Sequence, residues 1–320
     1  MEPGAPYWRP QAEQTFLQRF LNWLEVLDPS VLLASKREIE NSRLLLDSLG
    51  EPGKGPIQDR KVKEAWALNL SSVHPDTGEV IPIFFRPPAL LPAAVPLVLG
   101  TLQPPKATSQ AMVWQFLFHF YSAGFNISNG NASCMEKVFS QKQTLYCMGA
   151  IFYGACAGAI PQFLMNRHKL NTPALQTFFK KFLPVPLFTF LSVFNLVIVR
   201  AAEVEKGIQV VDKHGNVIGV SKKAGEKAVK ETSISRASLI GTTVLVPNLL
   251  THVLQRIRFI QKSSVILTPI RHIAAVITFG MMIPVSFSLF PQIGTILRTD
   301  LEEEIQLSTE ETELFYNRGL

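Results

Sequence analysis

Six stretches of the chain carry no Asp, Glu, Lys or Arg: 87–105, 107–135, 143–166, 182–199, 237–255 and 272–297. A helix rises about 1.5 Å per residue and needs roughly 20 apolar residues to cross ~30 Å of hydrocarbon. Helices of soluble cores average about 11–12 residues and carry charge on one face. The pattern therefore predicts an all-α, multi-pass membrane protein with about five transmembrane helices, four or six being the alternatives. The candidate spans are 87–105, 107–127, 143–166, 182–199, 237–255 and 272–292. Pro87, Pro88, Pro92, Pro96, Pro104 and Pro105 interrupt the first run, and the second turns polar after Phe125. One of these two is expected to be broken or re-entrant, because lipid cannot satisfy the backbone groups that proline frees. Gly149, Gly154 and Gly158 in the third run permit close helix packing.

The flanking segments predict a membrane domain over 87–297, a soluble or peripheral helical region over 1–86 and an acidic tail over 298–320. Phe16, Phe20, Trp23, Leu24 and Leu27 recur at helical spacing and give one broad apolar face, expected to pack on other helices rather than on the bilayer. Ser35 with Glu38 forms a capping-box pattern before Ile39, Leu45, Leu46 and Leu49. Gly50 to Pro56 reads as a loop, and Val62, Trp66 and Leu70 mark a third helix. In the long loop 200–236, residues 208–218 read as two short strands around a turn from Asp212 to Asn216, followed by a basic helix over 221–236 that leads into the next span. The tail, with Glu302, Glu303, Glu304, Glu310, Glu311 and Glu313, reads as a solvated acidic helix.

Composition agrees with the pattern. Of 320 residues, 47% are hydrophobic and only 18% charged, and mean hydropathy is +0.18. That excludes a disordered chain and argues against a water-soluble globule. Net charge is +6, but two short loops are basic without acids, Arg167, Lys169, Lys180 and Lys181 in one and Arg256, Arg258, Lys262 and Arg271 in the other, while the long loop 200–236 has eight basic residues against five acidic ones. This fits topology and anionic lipid rather than nucleic acid, for which no basic stripe with interleaved aromatics exists. Loops 166–181 and 200–236 would lie on opposite sides of one span, so the charge bias leaves the orientation open.

Residues 1–6 have neither a basic n-region nor an apolar core, so no secretory signal is expected. The segment is not an Arg-rich transit peptide either, and any organelle address is internal. Cys134, Cys147 and Cys156 are too few for a disulfide framework. The sequons at Asn69, Asn126 and Asn131 are read as chance matches.

Candidate chemistry is sparse. No two of His74, His119, His168, His214, His252 and His272 stand three or four apart, and no charge-free run holds a carboxylate. There is no phosphate loop and no nucleophile motif. No catalytic residue, metal ligand or cofactor is indicated. The informative polar residues lie at membrane depth: Gln115, His119, Asn126, Asn129, Gln162 and Asn195. Spacing alone favours interhelical hydrogen bonding for them; the alternative is a path for a small zwitterionic solute.

Several motifs, taken together, resemble the sideroflexins. They are Asp28-Pro29; His74, Pro75, Asp76, Thr77, Gly78 and Glu79 ahead of the spans; Trp114-Gln115 leading to an Asn-rich run; Asp212 with Gly215-Asn216; Ser235-Arg236; Phe290-Pro291-Gln292; and the closing Phe315-Tyr-Asn-Arg-Gly-Leu320. The resemblance runs nearly end to end. It implies a mitochondrial inner-membrane protein with about five spans, no cleaved presequence, and amino-acid transport with serine as the best-known substrate. Details at 39–43, 125–131 and 291–294 resemble most a branch associated instead with assembly of respiratory complex I and with iron homeostasis. The substrate-path candidates implied are Gln115, Asn126, Asn129 and Asn195. The chain departs from serine-carrying members where Phe118, His119, Phe120 and Ser122 replace Asn, Gln, Ser and Asn, which removes hydrogen-bonding capacity a polar substrate needs. The expected function is neutral amino-acid transport with serine carried weakly or not at all. The alternative is a non-transporting assembly factor whose N-terminal helices or acidic tail bind complex I subunits or assembly factors. The expected partners are inner-membrane lipids and a small neutral amino acid, not nucleic acid.

Overall fold

A computed structural model describes residues 14–48, 60–103, 107–132, 141–168, 172–256 and 264–320. The expected loop at 50–56, the segment 1–6, Cys134, Lys169, Arg258 and Lys262 lie outside the described residues. The protein is mostly helical, with one small antiparallel sheet. Three short helices come first: α1 (Phe16–Val26), α2 (Lys36–Ser48) and α3 (Arg60–Ser72). The bundle follows as α4 (Leu90–Leu102), α5 (Thr108–Asn129), α6 (Gln141–His168), the short α7 (Pro173–Thr177), α8 (Pro184–Val199) and α9 (Ala201–Lys206). Strands β1 (Ile208–Val211) and β2 (Val217–Ser221) precede α10 (Lys222–Leu254) and α11 (Ser264–Ser288). Strand β3 (Ile293–Leu297), α12 (Glu303–Ser308) and β4 (Glu313–Asn317) close the chain.

Three helices are long and apolar enough to cross a membrane, over Gln141–Arg167, Lys222–Leu254 and Ile266–Ser288, and Pro87–Leu102 and Pro184–Val199 are shorter apolar helical segments. The bundle helices alternate in direction. Gln103, Ala111, Met165, Pro184 and Arg271 line one cavity, so the end of α4, the start of α5, the end of α6 and the starts of α8 and α11 meet at one end. At the other end the last residues of α5, α8 and α11 meet the closing strand, with the Leu320 amide on the Asn129 carbonyl at 2.9 Å and Arg318 Nη2 on the Phe287 carbonyl at 3.1 Å.

Local sequence explains many boundaries. Thr15 and Gln18 cap α1 reciprocally, and Ser35 and Glu38 do the same for α2, with the Ser35 amide on Glu38 Oε2 at 2.6 Å and the Glu38 amide on Ser35 Oγ at 3.2 Å. The hairpin turn is held by Asp212 Oδ1, which accepts from the His214 and Asn216 amides at 2.8 and 2.9 Å, while Gly215 takes φ +86°. The basic helix after it and the following span are one continuous α10, capped by Ser221.

Several expectations change. The tail over 298–320 is not a solvated helix: β4 lies between β1 and β3 in a sheet of order β2-β1-β4-β3, and Leu314 and Tyr316 are fully buried. Their period-two alternation with Glu313 and Phe315 outweighs the acidic flanks. The last charge-free run is likewise two elements, because α11 ends at Ser288 and residues 293–297 form β3. Helix α5 continues through the polar stretch to Asn129. Arg271 belongs not to a loop but to α11, seven residues from its start. The apolar face of α1 is divided: Trp23 packs edge-on against Phe287 at 5.0 Å, while Phe16, Leu17, Leu21 and Leu24 remain exposed.

A candidate polar route and its arginine junction

On α5, Gln115, His119, Ser122, Asn126 and Asn129 follow at spacings of four, three, four and three, which places them on one face. Gln115, His119, Asn126 and Asn129 are buried there. Helix α6 closes over this stripe through glycines. A Cβ at Gly154 would stand 2.5 Å from His119 Cδ2, and one at Gly158 would stand 2.7 Å from Gln115 Cδ. Helix α8 presents Ser192 and Asn195, both buried, and Asn195 Nδ2 reaches the His119 carbonyl at 3.5 Å. Both ring nitrogens of His119, Asn126 Nδ2, Ser192 Oγ and Asn195 Oδ1 are buried without a hydrogen-bond partner among the described residues. Each such group costs about 1–3 kcal/mol relative to a satisfied one. These five atoms are neutral donors and acceptors without a partner among the described residues.

At one end the stripe reaches Arg236, whose Nη2 lies 3.4 Å from Asn126 Oδ1. Its guanidinium sits between the rings of Phe125 at 5.2 Å and Phe287 at 5.9 Å, and its Nε has no partner among the described residues. Asn129 behaves differently from its neighbours. Its side-chain amide donates to the carbonyls of Phe85 and Phe125 at 2.8 and 2.9 Å, tying two segments together. Of the four substrate-path candidates, Asn126 on the stripe and Asn195 facing it from α8 each keep an atom without a partner among the described residues, Gln115 is buried on the stripe, and Asn129 acts as a backbone tie at its end.

Beyond Asn129 lies a junction made by the motif His74 to Glu79. The amides of Asp76 and Thr77 point at His74 Nδ1 at 3.2 and 3.4 Å, so Nδ1 accepts and His74 Nε2 donates to the Gly130 carbonyl at 2.7 Å. Pro75 sets the turn, Gly78 takes φ +67°, Thr77 Oγ1 accepts from the Glu79 amide at 3.2 Å, and Arg43 Nη1 donates to the Gly78 carbonyl at 3.0 Å. The Asp76 carboxylate accepts from the Ala132 amide at 2.9 Å and from Asn317 Nδ2 at 3.0 Å. The motif therefore fastens the segment before the bundle to the end of α5 and to the closing strand.

Sequence reasoning missed the buried charges at this junction. Arg200 pairs with Glu203 and also donates to Thr232 Oγ1 and the Arg318 carbonyl at 3.1 and 2.6 Å. Burial pulls the Arg318 guanidinium down to about 10, and the nearby Arg200 and Arg236 add to this against Glu231 and Tyr316. The available signal was position: Arg200 and Arg236 each abut a charge-free run.

Two cavities adjoin the stripe. One of about 20 Å³ is lined by Gln115, Phe118 and His119 with Thr101 and Thr243. One of about 140 Å³ is lined by Gln115, Gln162 and Arg271. Gln115 belongs to both. The two phenylalanines that depart from the family pattern have different places: Phe118 borders the small cavity, whereas Phe120 is exposed on the outside of the bundle, stacked near Phe116 at 6.2 Å. Among the described residues no group of His, Cys, Asp and Glu is arranged to hold a metal.

A family description of the sideroflexins matches residues 3–320. The chain is 47% identical over 322 residues to sideroflexin-4 of Danio rerio, covering all of both chains. It is 39% identical to sideroflexin-4 of Homo sapiens, covering all of this chain and 93% of that one. With sideroflexin-5 of Homo sapiens it shares 29% identity over 99% of this chain and 94% of the other. No solved structure matches.

Proposed function

The chain belongs to the sideroflexin family, in its sideroflexin-4 branch, and on that premise we propose that it is a mitochondrial inner-membrane protein that carries a small neutral amino acid, with serine carried weakly or not at all. In this reading α5 and α8 cross the membrane together with α6, α10 and α11, and inner-membrane lipid surrounds them. The observation that carries the proposal is the set of buried polar atoms without a partner among the described residues at His119, Ser192, Asn195 and Asn126, with buried Gln115 on the same face of α5. A zwitterion leaving water needs neutral donors and acceptors along its way, because bare desolvation of its charges is prohibitive. Phe118 at the small cavity narrows the interior where serine carriers of the family are polar, which supports weak serine passage.

The test is uptake of a panel of neutral amino acids into liposomes containing the purified protein, its Asn126→Ala variant and its Asn195→Ala variant. The expected result is uptake of at least one amino acid, slowed in both variants; a flat panel overturns the proposal.

A second reading, a non-transporting assembly partner for respiratory complex I with a link to iron homeostasis, is favoured by a groove of about 1020 Å³ between the N-terminal helices and α11. Leu24 and Leu33 on its wall are exposed, as a docking surface requires. Here deletion removes mature complex I on a native gel and Asn195→Ala restores it. Restoration by added serine or formate supports transport instead.

A further inference from the structure

An isolated cation stands at the end of the bundle opposite the arginine junction. Arg271 lies inside the segment Ile266–Ser288 that is apolar enough to cross a membrane, seven residues into α11 or about 10 Å along its axis. Its Nε is buried without a partner among the described residues, and no ion pair joins it to any described carboxylate. Arg271 is half-buried, and a cation inside a membrane helix normally faces a partner or a wet path. The chain does not supply that partner from nearby sequence. The connections at this end of the bundle, 103–111, 160–183 and 255–272, contain no Asp or Glu. Among the described residues no carboxylate meets Arg271, which leaves its guanidinium able to take up an anion.

The cavity beside Arg271 has the composition of a small-anion site. Its volume of about 140 Å³ is well above the ~10–15 Å³ that one water needs. Thr101, Gln103, Gln115 and Gln162 bring hydroxyl and amide groups to the wall, and Phe179 and Phe188 bring apolar rings. Phe179 comes from a π-helical turn, Phe178–Phe182, a distortion found often at functional positions. One cation with neutral amides and no acid attracts an oxyanion and leaves a free cation without a counter-charge. Gln115, shared with the smaller cavity at His119, joins this chamber to the polar stripe.

We infer that Arg271 binds the carboxylate of a small neutral amino acid in this cavity, at the start of the α5 stripe. The inference rests on the transport reading for its substrate class. The planar guanidinium offers a carboxylate two parallel N–H donors, and the glutamine carbonyls accept from the ammonium group. A lipid phosphate presents similar oxyanion chemistry, so the test must separate the two.

Full-length protein is placed in nanodiscs of phosphatidylcholine alone, and binding of radiolabelled glycine, alanine, serine, threonine and proline is measured. Each is competed with its decarboxylated amine. At least one amino acid is expected to bind, its amine is expected not to compete, and Arg271→Gln is expected to weaken binding roughly ten- to hundredfold. Arg271→Lys should recover part of the loss, because it keeps the charge and loses the fork. Met165→Trp, which fills the cavity without touching the charge, should also abolish binding and serves if Arg271→Gln does not fold. Absence of binding to the unaltered protein, or binding indifferent to both Arg271→Gln and Met165→Trp, overturns the inference. So does a loss, in Arg271→Gln, only of phosphatidylglycerol retention in mixed nanodiscs, which assigns the site to lipid. Uptake with unchanged KM in Arg271→Gln overturns the inference and leaves transport standing. Arg271-dependent binding without uptake overturns transport and leaves the carboxylate site standing.

Discussion

Arg200 Nε and Glu203 Oε1 stand 2.6 Å apart with 0% and 1% of their side chains exposed. Arg200 Nη2 meets the other oxygen at 2.7 Å, and Asn131 supplies its backbone and side-chain N–H groups to the same carboxylate at 3.2 and 2.8 Å. The pair joins the stretch after α5 to the turn between α8 and α9. Removing one member of a buried pair strands the other, at about 3–5 kcal/mol. Glu203→Ala is therefore expected to lower the unfolding temperature sharply in detergent. Arg200→Met combined with Glu203→Leu should fall less than the sum of the single changes. Near-unchanged melting of Glu203→Ala would contradict the assignment.

The glycines of α6 give a graded prediction. Gly154 is covered by His119, whereas nothing lies within 4 Å of a Cβ at Gly149. Gly154→Ala should force α5 and α6 apart and destabilise by about 1–3 kcal/mol. Gly149→Ala should be neutral or stabilising by up to about 1 kcal/mol, since alanine is the better helix former. Differential scanning fluorimetry of the two variants checks the order.

Asparagines on the stripe and at its end should separate in opposite ways. Asn129→Ala removes the donor of two backbone ties and is expected to destabilise by about 1–3 kcal/mol. Asn195→Leu replaces a buried amide whose oxygen is unpartnered, so melting should hold or rise while uptake is lost. A parallel fall of stability and uptake in Asn195→Leu would make that residue scaffold rather than route.

Acid sensitivity should localise at the start of α10. Burial alone would raise the Glu302 carboxyl, but hydrogen bonds from Ser221 and from the Lys223 and Lys222 amides outweigh it and hold it below its ordinary 4.5. A carboxyl lowered in the folded state adds stability above its unfolded pKa, and that increment is lost as pH falls through the folded value. The melting advantage of the unaltered protein over Glu302→Gln should therefore be present at pH 7 and shrink below about pH 4.5. An advantage that grows on acidification would reverse the sign and refute the assignment.

Helices, caps and the hairpin were legible because their signals are local. Charge-free runs, the reciprocal pairing of Ser35 with Glu38 and the turn chemistry of Asp212 to Asn216 each act within a few residues. The closing strand was not legible: five residues at period two are a weak signal between glutamates, and β4 gains its place only by pairing with β1 and β3, far away in sequence. The α5 stripe could be read from spacing, but its glycine cover and the outward turn of Phe120 depend on where α6 lies. Arg271 looked like one more basic loop residue because its neighbours Arg256, Arg258 and Lys262 share its sign; its place beside a cavity depends on residues from four other helices.

The contact between Asp76 and Asn317 sets a parity. Two points of a chain that touch on one side of a slab are separated by an even number of traverses. The five helices proposed as crossings make an odd number, so on that proposal α4, 13 residues with Pro96 inside it, counts as a sixth traverse rather than as a dip that returns. Epitopes inserted near residues 76 and 317 should accordingly be accessible from the same compartment, and an epitope between α6 and α8 only from the other.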